Sequence, residues 1–153
     1  MCGNLISWVF QSNREMVPIV TIDGPSGSGK GTIAKALALK LNWNYLDSGL
    51  LYRCFAFLHS ENIENISESF SRIEHKYDAK SENILFDGND ITSAIRGKEL
   101  TILSSQLSQK SEVREQLMQI QKQFRKLPGL VAEGRDMSSK LFPDSKVKIF
   151  LTA

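Results

Sequence analysis

The clearest chemistry in this chain of 153 residues comes from a glycine-rich segment that contains one lysine. Its spacing is G-x-x-x-x-G-K, and it runs through Gly24, Pro25, Ser26, Gly27, Ser28, Gly29, Lys30, Gly31 and Thr32. Glycines permit positive φ angles and let backbone N–H groups approach an anion, while a helix that starts after the loop adds favourable dipole charge. The pattern predicts a nucleotide phosphate-binding loop, the P-loop, in which Lys30 reaches the β- and γ-phosphates.

Residues next to the P-loop leave the magnesium contact open. The usual pattern has Ser or Thr directly after the lysine, but this sequence has Gly31 there and Thr32 one position later. Glu133, at the end of a predicted strand, either orients a magnesium-bound water or has a packing or capping role. Asp23 either contacts the ligand or supports the loop.

Hydrophobic patterning predicts the elements that position this loop. Residues 17–22 form a β-branched, nearly continuous apolar run, which is typical of a strand buried on both faces of a parallel sheet. Residues 45–46 predict a second strand, and residues 47–49 a turn before a helix over 50–59. Between these two strands, apolar residues at helical spacing predict a helix over 32–41. These residues are Ile33, Ala36, Leu37 and Leu41.

The rest of the chain predicts a small antiparallel meander and a return to the sheet. Residues 61–76 are polar and predict partial helix, and strands over 77–80 and 84–87 flank a turn at 81–83, with Gly88-Asn89 as another turn. The remaining predicted elements are helices over 95–107 and 113–124, the second with Val113, Leu117, Ile120 and Phe124 on one face, and strands over 130–132 and 147–151.

Together these elements predict an α/β fold of the P-loop NTPase type, with a parallel sheet flanked by helices and a small antiparallel insert. The length predicts one domain over residues 16–153, with the insert at about 61–127. Residues 1–15 precede the first clean strand pattern. We expect them to form a loosely attached, disordered extension.

Composition excludes several function classes. The chain is 41% hydrophobic and 24% charged, with a net charge of +2, so it predicts neither a nucleic-acid partner nor a membrane partner. Cys2 and Cys54 are too few for a thiolate metal site or a disulfide framework, and we expect a cytoplasmic protein. His59 and His75 have no second ligand at metal spacing, so no metal bound by side chains is expected.

Beyond the P-loop, the sequence resembles the bacterial cytidylate kinases. The strings that carry the resemblance are TIDGPSGSGKGTIAKALALKL, LDSGLLYR at 46–53 and PGLVAEGRDMSSKLFPDSKVKIFLTA at 128–153. The resemblance implies a nucleoside monophosphate kinase that uses ATP to phosphorylate CMP and dCMP, and an insert that binds the monophosphate. It also implies Mg²⁺ bound mainly through phosphates and water, with a monomeric chain expected. Whether Thr32 or Glu133 contacts the magnesium stays open.

The resemblance also assigns roles to individual residues. Arg53 and Arg135, with Lys30, are the catalytic candidates, because guanidinium groups bind phosphate bidentately and an anionic acceptor needs no general base. Ser48 matches a residue that contacts the acceptor nucleotide. The residues that match the family's base contacts are Ser105, Arg114 and Asp136.

Ordinary structural roles compete with each assignment. Ser48 and Arg53 are alternatively a helix cap and a surface charge, and Ser105 and Arg114 are alternatively a solvated helix face. Arg135 and Asp136 are alternatively a salt bridge at a strand end. The sequence does not distinguish Ser105 from Ser104.

The family continues into an arginine-bearing lid, a final strand and a final helix, which are missing here. We therefore expect a polypeptide of this length to be poorly active and marginally stable. The alternative functions are a noncatalytic nucleotide-binding fragment and another small P-loop kinase.

Overall fold

The structure, a computed structural model, describes residues 17–152 and divides into two compact units. The first unit contains residues 17–46 and 123–152, and the second contains residues 47–122. The predicted extension, residues 1–15, lies outside the described residues. The domain bounds 16–153 and the insert bounds of about 61–127 stay predictions, although most of that insert falls within the second unit.

The elements follow one another in mixed α and β order. The strands are β1 (Ile19–Asp23), β2 (Asn44–Asp47), β3 (Ile73–Tyr77), β4 (Glu82–Phe86), β5 (Asn89–Asp90), β6 (Leu130–Gly134) and β7 (Val147–Phe150). The helices are α1 (Lys30–Leu41), α2 (Ser48–Ser60), α3 (Ile66–Ser69), α4 (Thr92–Arg96), α5 (Lys98–Leu107) and α6 (Ser111–Lys122). A 3₁₀ turn covers Phe70–Arg72, and a π-helical turn covers Met137–Leu141.

A four-stranded sheet in the order β2-β6-β1-β7 forms the core of the first unit. Strands β6 and β7 both run parallel to β1. Every residue of β1 and β6 is buried, which explains their nearly continuous apolar sequences. The predicted α/β fold is therefore confirmed. Strand β7 ends the sheet on one side and exposes Val147, Ile149 and Phe150.

Helix α1 packs on β6 and β1 through small residues. Ala34 and Ala38 are fully buried, whereas Ile33 and Leu41, which helped to predict the helix, are 47% and 40% exposed. The helix was predicted in the right place, but the spacing of large apolar residues does not mark its buried face. Alanine lets a helix backbone lie close to a sheet, so the packed face is the one with the smaller side chains.

In the second unit, β3, β4 and β5 form an antiparallel sheet. The predicted meander is confirmed, but its first strand over 77–80 was wrong, because Ile73–Tyr77 forms that strand. Asp78 starts the turn instead: its Oδ1 accepts from the backbone N–H of Lys80 and Ser81, at 2.7 Å each. Asp87 and Gly88 make the next turn, and both have positive φ.

The helices of the second unit also differ from prediction. A single helix over 95–107 was wrong, because Gly97 has an extended ψ of 157° and separates α4 from α5. In α6, which begins at Ser111, the buried face is Val113, Leu117 and Gln121. Gln121 therefore takes the core position that Ile120 and Phe124 were predicted to fill.

The core of the second unit joins α2 to the small sheet and to α4. Its buried residues are Leu50, Cys54, Ile84, Ile91 and Ile95. Burial raises the pKa of the Cys54 thiol to about 12. The thiol is therefore a neutral core group, which agrees with the apolar role expected for a small buried cysteine.

Among residues 17–152, no helix combines the length and the apolar character needed to span a membrane.

The packing of α1 predicts which side chains stabilise it. We expect Ala38→Leu to lower the free energy of unfolding by about 1–3 kcal/mol, because a large side chain does not fit between helix and sheet. Ile33→Ala, on the exposed face, should change it by less than about 0.5 kcal/mol. Urea denaturation followed by circular dichroism measures both. A larger loss for Ile33→Ala than for Ala38→Leu would contradict this packing.

Candidate functional site: a P-loop and its flanking segments

The predicted site residues are distributed over both units. The first unit contains the P-loop, Arg135 and Asp136. The second unit contains Ser48, Arg53, Ser105 and Arg114.

The P-loop connects β1 directly to α1. Gly27 and Gly29 have φ angles of 77° and 86°, which side chains rarely adopt, so glycine is required at both positions. Gly29 is the N-cap of α1 and supplies no side-chain oxygen to the first amides of the helix. Those N–H groups therefore have no side-chain cap from Gly29 and suit an anion as their acceptor.

Lys30 is the first residue of α1, and its ammonium group stays on the loop side. Nζ donates to the carbonyl oxygen of Pro25 at 3.3 Å, and the backbone N–H of Ser28 donates to the same oxygen at 3.3 Å. The lysine thus folds over its own loop in this structure. A bound polyphosphate would offer Lys30 several anionic oxygens in place of that single carbonyl contact.

Gly24 is required by a close backbone approach. A Cβ atom at this position would lie 2.5 Å from the carbonyl oxygen of Leu151, which follows β7. The backbone N–H of Leu151 donates to the carbonyl of Asp23 at 2.8 Å, so the chain after β7 is bound directly beside the start of the P-loop.

Glu133 lies beside the position where the usual pattern has a hydroxyl. Its Oε1 would be 3.5 Å from a Cβ atom placed on Gly31, and the Glu133 side chain is buried. Tyr45 donates its hydroxyl to the carbonyl of Gly31 at 3.5 Å. Thr32 is exposed. A carboxylate at this place suits magnesium, which prefers oxygen ligands and keeps several waters.

Arg135 contacts the P-loop itself. Its Nη2 donates to Oγ of Ser26 at 2.8 Å, so the guanidinium of the Gly-Arg-Asp sequence is next to the predicted phosphate cradle. The neighbouring Asp136 pairs with Lys140 at 3.8 Å on an exposed turn. Asp136 thus pairs with Lys140, whereas Arg135 is bonded to a loop residue.

Asp23 is a residue whose structural role the sequence left open. Its buried carboxylate accepts hydrogen bonds from the π-helical turn that follows Arg135 and Asp136. It therefore supports the segment after β6 as well as preceding the P-loop. Its position directly before the glycines was the only signal in the sequence.

In the second unit, α2 begins with a different cap from the one considered. Oδ1 of Asp47 accepts a hydrogen bond from the backbone N–H of Leu50 at 2.9 Å, while Ser48 is buried as the first helical residue. Arg53 lies on the next turn of the same helix. Its Nε is buried and has no hydrogen-bond partner among residues 17–152, so this donor is unsatisfied in the structure.

Helix α5 distinguishes the two candidate serines. Ser104 is buried, and its hydroxyl donates to the carbonyl of Thr101 at 2.9 Å, whereas Ser105 is exposed. Arg114 belongs to α6, but its Nη1 donates to the carbonyls of Ser108 and Gln109, just after the end of α5, at 3.1 and 2.7 Å. The structure thus brings Ser105 and Arg114 to one helix end.

Comparison with known families identifies the family of this chain. The family model described as cytidylate kinase matches residues 20–153. The chain belongs to the cytidylate kinase family. The match includes the P-loop, both predicted arginines and the whole of the small antiparallel sheet, so the family resemblance noted in the sequence is confirmed.

Individual relatives in the family are longer than this chain. The cytidylate kinase of Stutzerimonas stutzeri (strain A1501) is 48% identical over 147 residues, which cover 90% of this chain and 64% of that protein. That of Coxiella burnetii (strain RSA 493 / Nine Mile phase I) is 43% identical, over 94% of this chain and 65% of its own length. The chain therefore spans a little under two thirds of the relatives that it matches.

The Gly24 contact generates a prediction about the loop. We expect Gly24→Ala to destabilise the fold by about 1–3 kcal/mol and to weaken ATP binding, because the new Cβ must displace a backbone carbonyl. Gly49→Ala is the control, since its Cβ would lie at an ordinary 3.6 Å from Asp47 Oδ1. Thermal denaturation and calorimetric titration with ATP measure both effects. Equal behaviour of the two variants would contradict the close approach.

Proposed function

We propose that this chain carries the donor-binding and nucleotide-selecting residues of a kinase that transfers the γ-phosphoryl group of ATP to CMP and dCMP. The P-loop geometry is the observation that carries the proposal: two positive-φ glycines lead directly into a helix whose first amides have no side-chain cap. The names of the family relatives support the choice of acceptor. The proposed setting is the cytoplasm, with a monomeric chain and small-molecule partners.

ATP is the proposed donor. The backbone amides of the P-loop bind its β- and γ-phosphates, and Lys30 leaves the Pro25 carbonyl to neutralise their charge. Mg²⁺ is proposed to bind mainly through phosphate oxygens and water, with Glu133 oriented toward one of those waters. When bound, the ion screens the negative charge that accumulates between donor and acceptor.

Binding and charge neutralisation are the main tasks of the protein in this reaction. A nucleoside monophosphate already has an anionic oxygen near neutral pH, so no side chain must remove a proton from it. Arg135, bonded to Ser26, and Arg53, whose Nε is unsatisfied among the described residues, are the proposed cations for the acceptor phosphate. Ser48 is proposed to contact the acceptor nucleotide.

Base selection is proposed to rest on Arg114 and Ser105. Among the described residues, Nη1 of Arg114 donates to the carbonyls at the end of α5, and the other N–H groups of this arginine are proposed to face the base. Cytosine presents two adjacent acceptors, N3 and O2, which a guanidinium edge can bind together. Uracil has a donor at N3 and would leave one arginine donor unpaired. Asp136 is the proposed acceptor for the exocyclic amine of cytosine.

This assignment predicts the order of acceptor affinities. In calorimetric titrations we expect CMP and dCMP to bind at least tenfold more tightly than UMP or AMP, because unpaired polar groups in a site are costly. Arg114→Met should remove most of that preference. Lys122→Met, an exposed cation at the end of the same helix, is the matched control and should leave it unchanged.

Two measurements separate this function from its alternatives. ATP-dependent formation of CDP from CMP establishes transfer, whereas binding of both nucleotides without CDP formation indicates a noncatalytic nucleotide-binding module. Equal affinity for AMP and CMP would overturn the proposed selectivity and favour another P-loop kinase.

A further inference from the structure

The last residue of β1 is a buried carboxylate beside a loop that binds anions. Asp23 is 3% exposed and directly precedes Gly24, the first residue of the P-loop. A buried negative charge near a phosphate site is unfavourable unless donors compensate it. Its partners therefore indicate what the carboxylate does.

Three donors satisfy Asp23, and all of them come from the turn after β6. Oδ1 accepts from the backbone N–H of Met137 at 2.8 Å. Oδ2 accepts from the backbone N–H of Ser138 at 3.0 Å and from its hydroxyl at 2.8 Å. The contacts connect positions 114 and 115 residues apart in sequence. With three donors bound, this carboxylate is occupied by the protein and is not directed at a ligand.

The turn that Asp23 binds follows Arg135 and Asp136 without a gap. Two further contacts link the same segments: the backbone N–H of Gly24 donates to the carbonyl of Gly134 at 3.2 Å, and Arg135 donates to Ser26 at 2.8 Å. The Arg135 segment is thus bonded to Gly24 before the arginine, to Ser26 at the arginine, and to Asp23, the residue before the P-loop, after it.

We propose that Asp23 is a positioning residue that holds the Arg135 segment against the P-loop, an inference that rests on the proposed phosphate-binding role of Arg135. The end of β1 then fixes the positions of both the P-loop and Arg135. Hydrogen bonds to a charged acceptor are shorter and stronger than neutral ones, so a carboxylate fixes this turn better than an amide would. Asp23→Asn replaces one acceptor oxygen by a donor that opposes an N–H group.

The experiment compares Asp23→Asn with a milder variant and a matched control. Ser138→Ala removes one of the three donors and keeps both backbone contacts. Ser145→Ala removes a buried hydroxyl that donates to the carbonyl of Ile19, at the opposite end of β1, at 3.0 Å. Both serines are thus bonded to β1, but only Ser138 is bonded beside the P-loop.

The first readout is amide hydrogen exchange in the ligand-free chain. Ser138→Ala should accelerate exchange at least threefold both in residues 24–30 and in residues 134–138, whereas Ser145→Ala should not affect these segments. Faster exchange confined to residues 137–139, or equal effects of the two serine variants, would overturn the proposal. This readout does not depend on the acceptor.

The second readout is the affinity for CMP compared with cytidine. In Ser138→Ala and Asp23→Asn, the advantage that the phosphate gives CMP should fall at least fivefold, while the affinity for cytidine stays constant. An unchanged advantage in both variants would overturn the proposal. If the unaltered chain binds CMP no better than cytidine, the proposed acceptor function fails, and hydrogen exchange still decides the role of Asp23.

Discussion

The backbone amides between Gly24 and Lys30 are the constraint on which the rest of the first unit depends. The phosphate cradle proposed for these groups cannot tolerate rotation of its peptides, so the chain on either side must be fixed. Strand β1 is completely buried and paired on both sides, and α1 packs on the sheet through Ala34 and Ala38. The loop therefore connects two elements that are packed against each other.

The fold was predictable where local chemistry decides it. Strands buried on both faces produce continuous apolar runs, and β1 and β6 were found near their predicted positions. Strand β7 was also found where it was predicted, although its residues are exposed at the end of the described sheet. The errors have identifiable causes. The buried face of α1 consists of small residues, whereas its large apolar residues are partly exposed, so their spacing does not mark the buried face. The Asp78 side chain stabilises a turn where residues 77–80 were predicted to be a strand. Gly97 interrupted a helical pattern that otherwise continued from α4 into α5.

The candidate site, like the fold, was predictable only where neighbouring residues in the sequence form it. The P-loop is contiguous, so its spacing alone identified it, and the match to the cytidylate kinase family confirmed the context. The contacts between Asp23 and Ser138 and between Arg135 and Ser26 join residues more than 100 positions apart, so no local pattern predicts them. Burial, which distinguishes Ser104 from Ser105, likewise depends on tertiary packing. The roles of the acceptor residues stay predictions.

The central claim is that main-chain amides and one ammonium group bind a polyphosphate where β1 leads into α1. Titration with inorganic triphosphate, followed by ¹⁵N NMR, tests this without any contribution from a base or sugar. The account predicts that the largest shifts occur at the amides of residues 26–32, and that Lys30→Met strongly reduces the affinity. Shifts centred elsewhere in the chain, or an unchanged affinity in Lys30→Met, would contradict it.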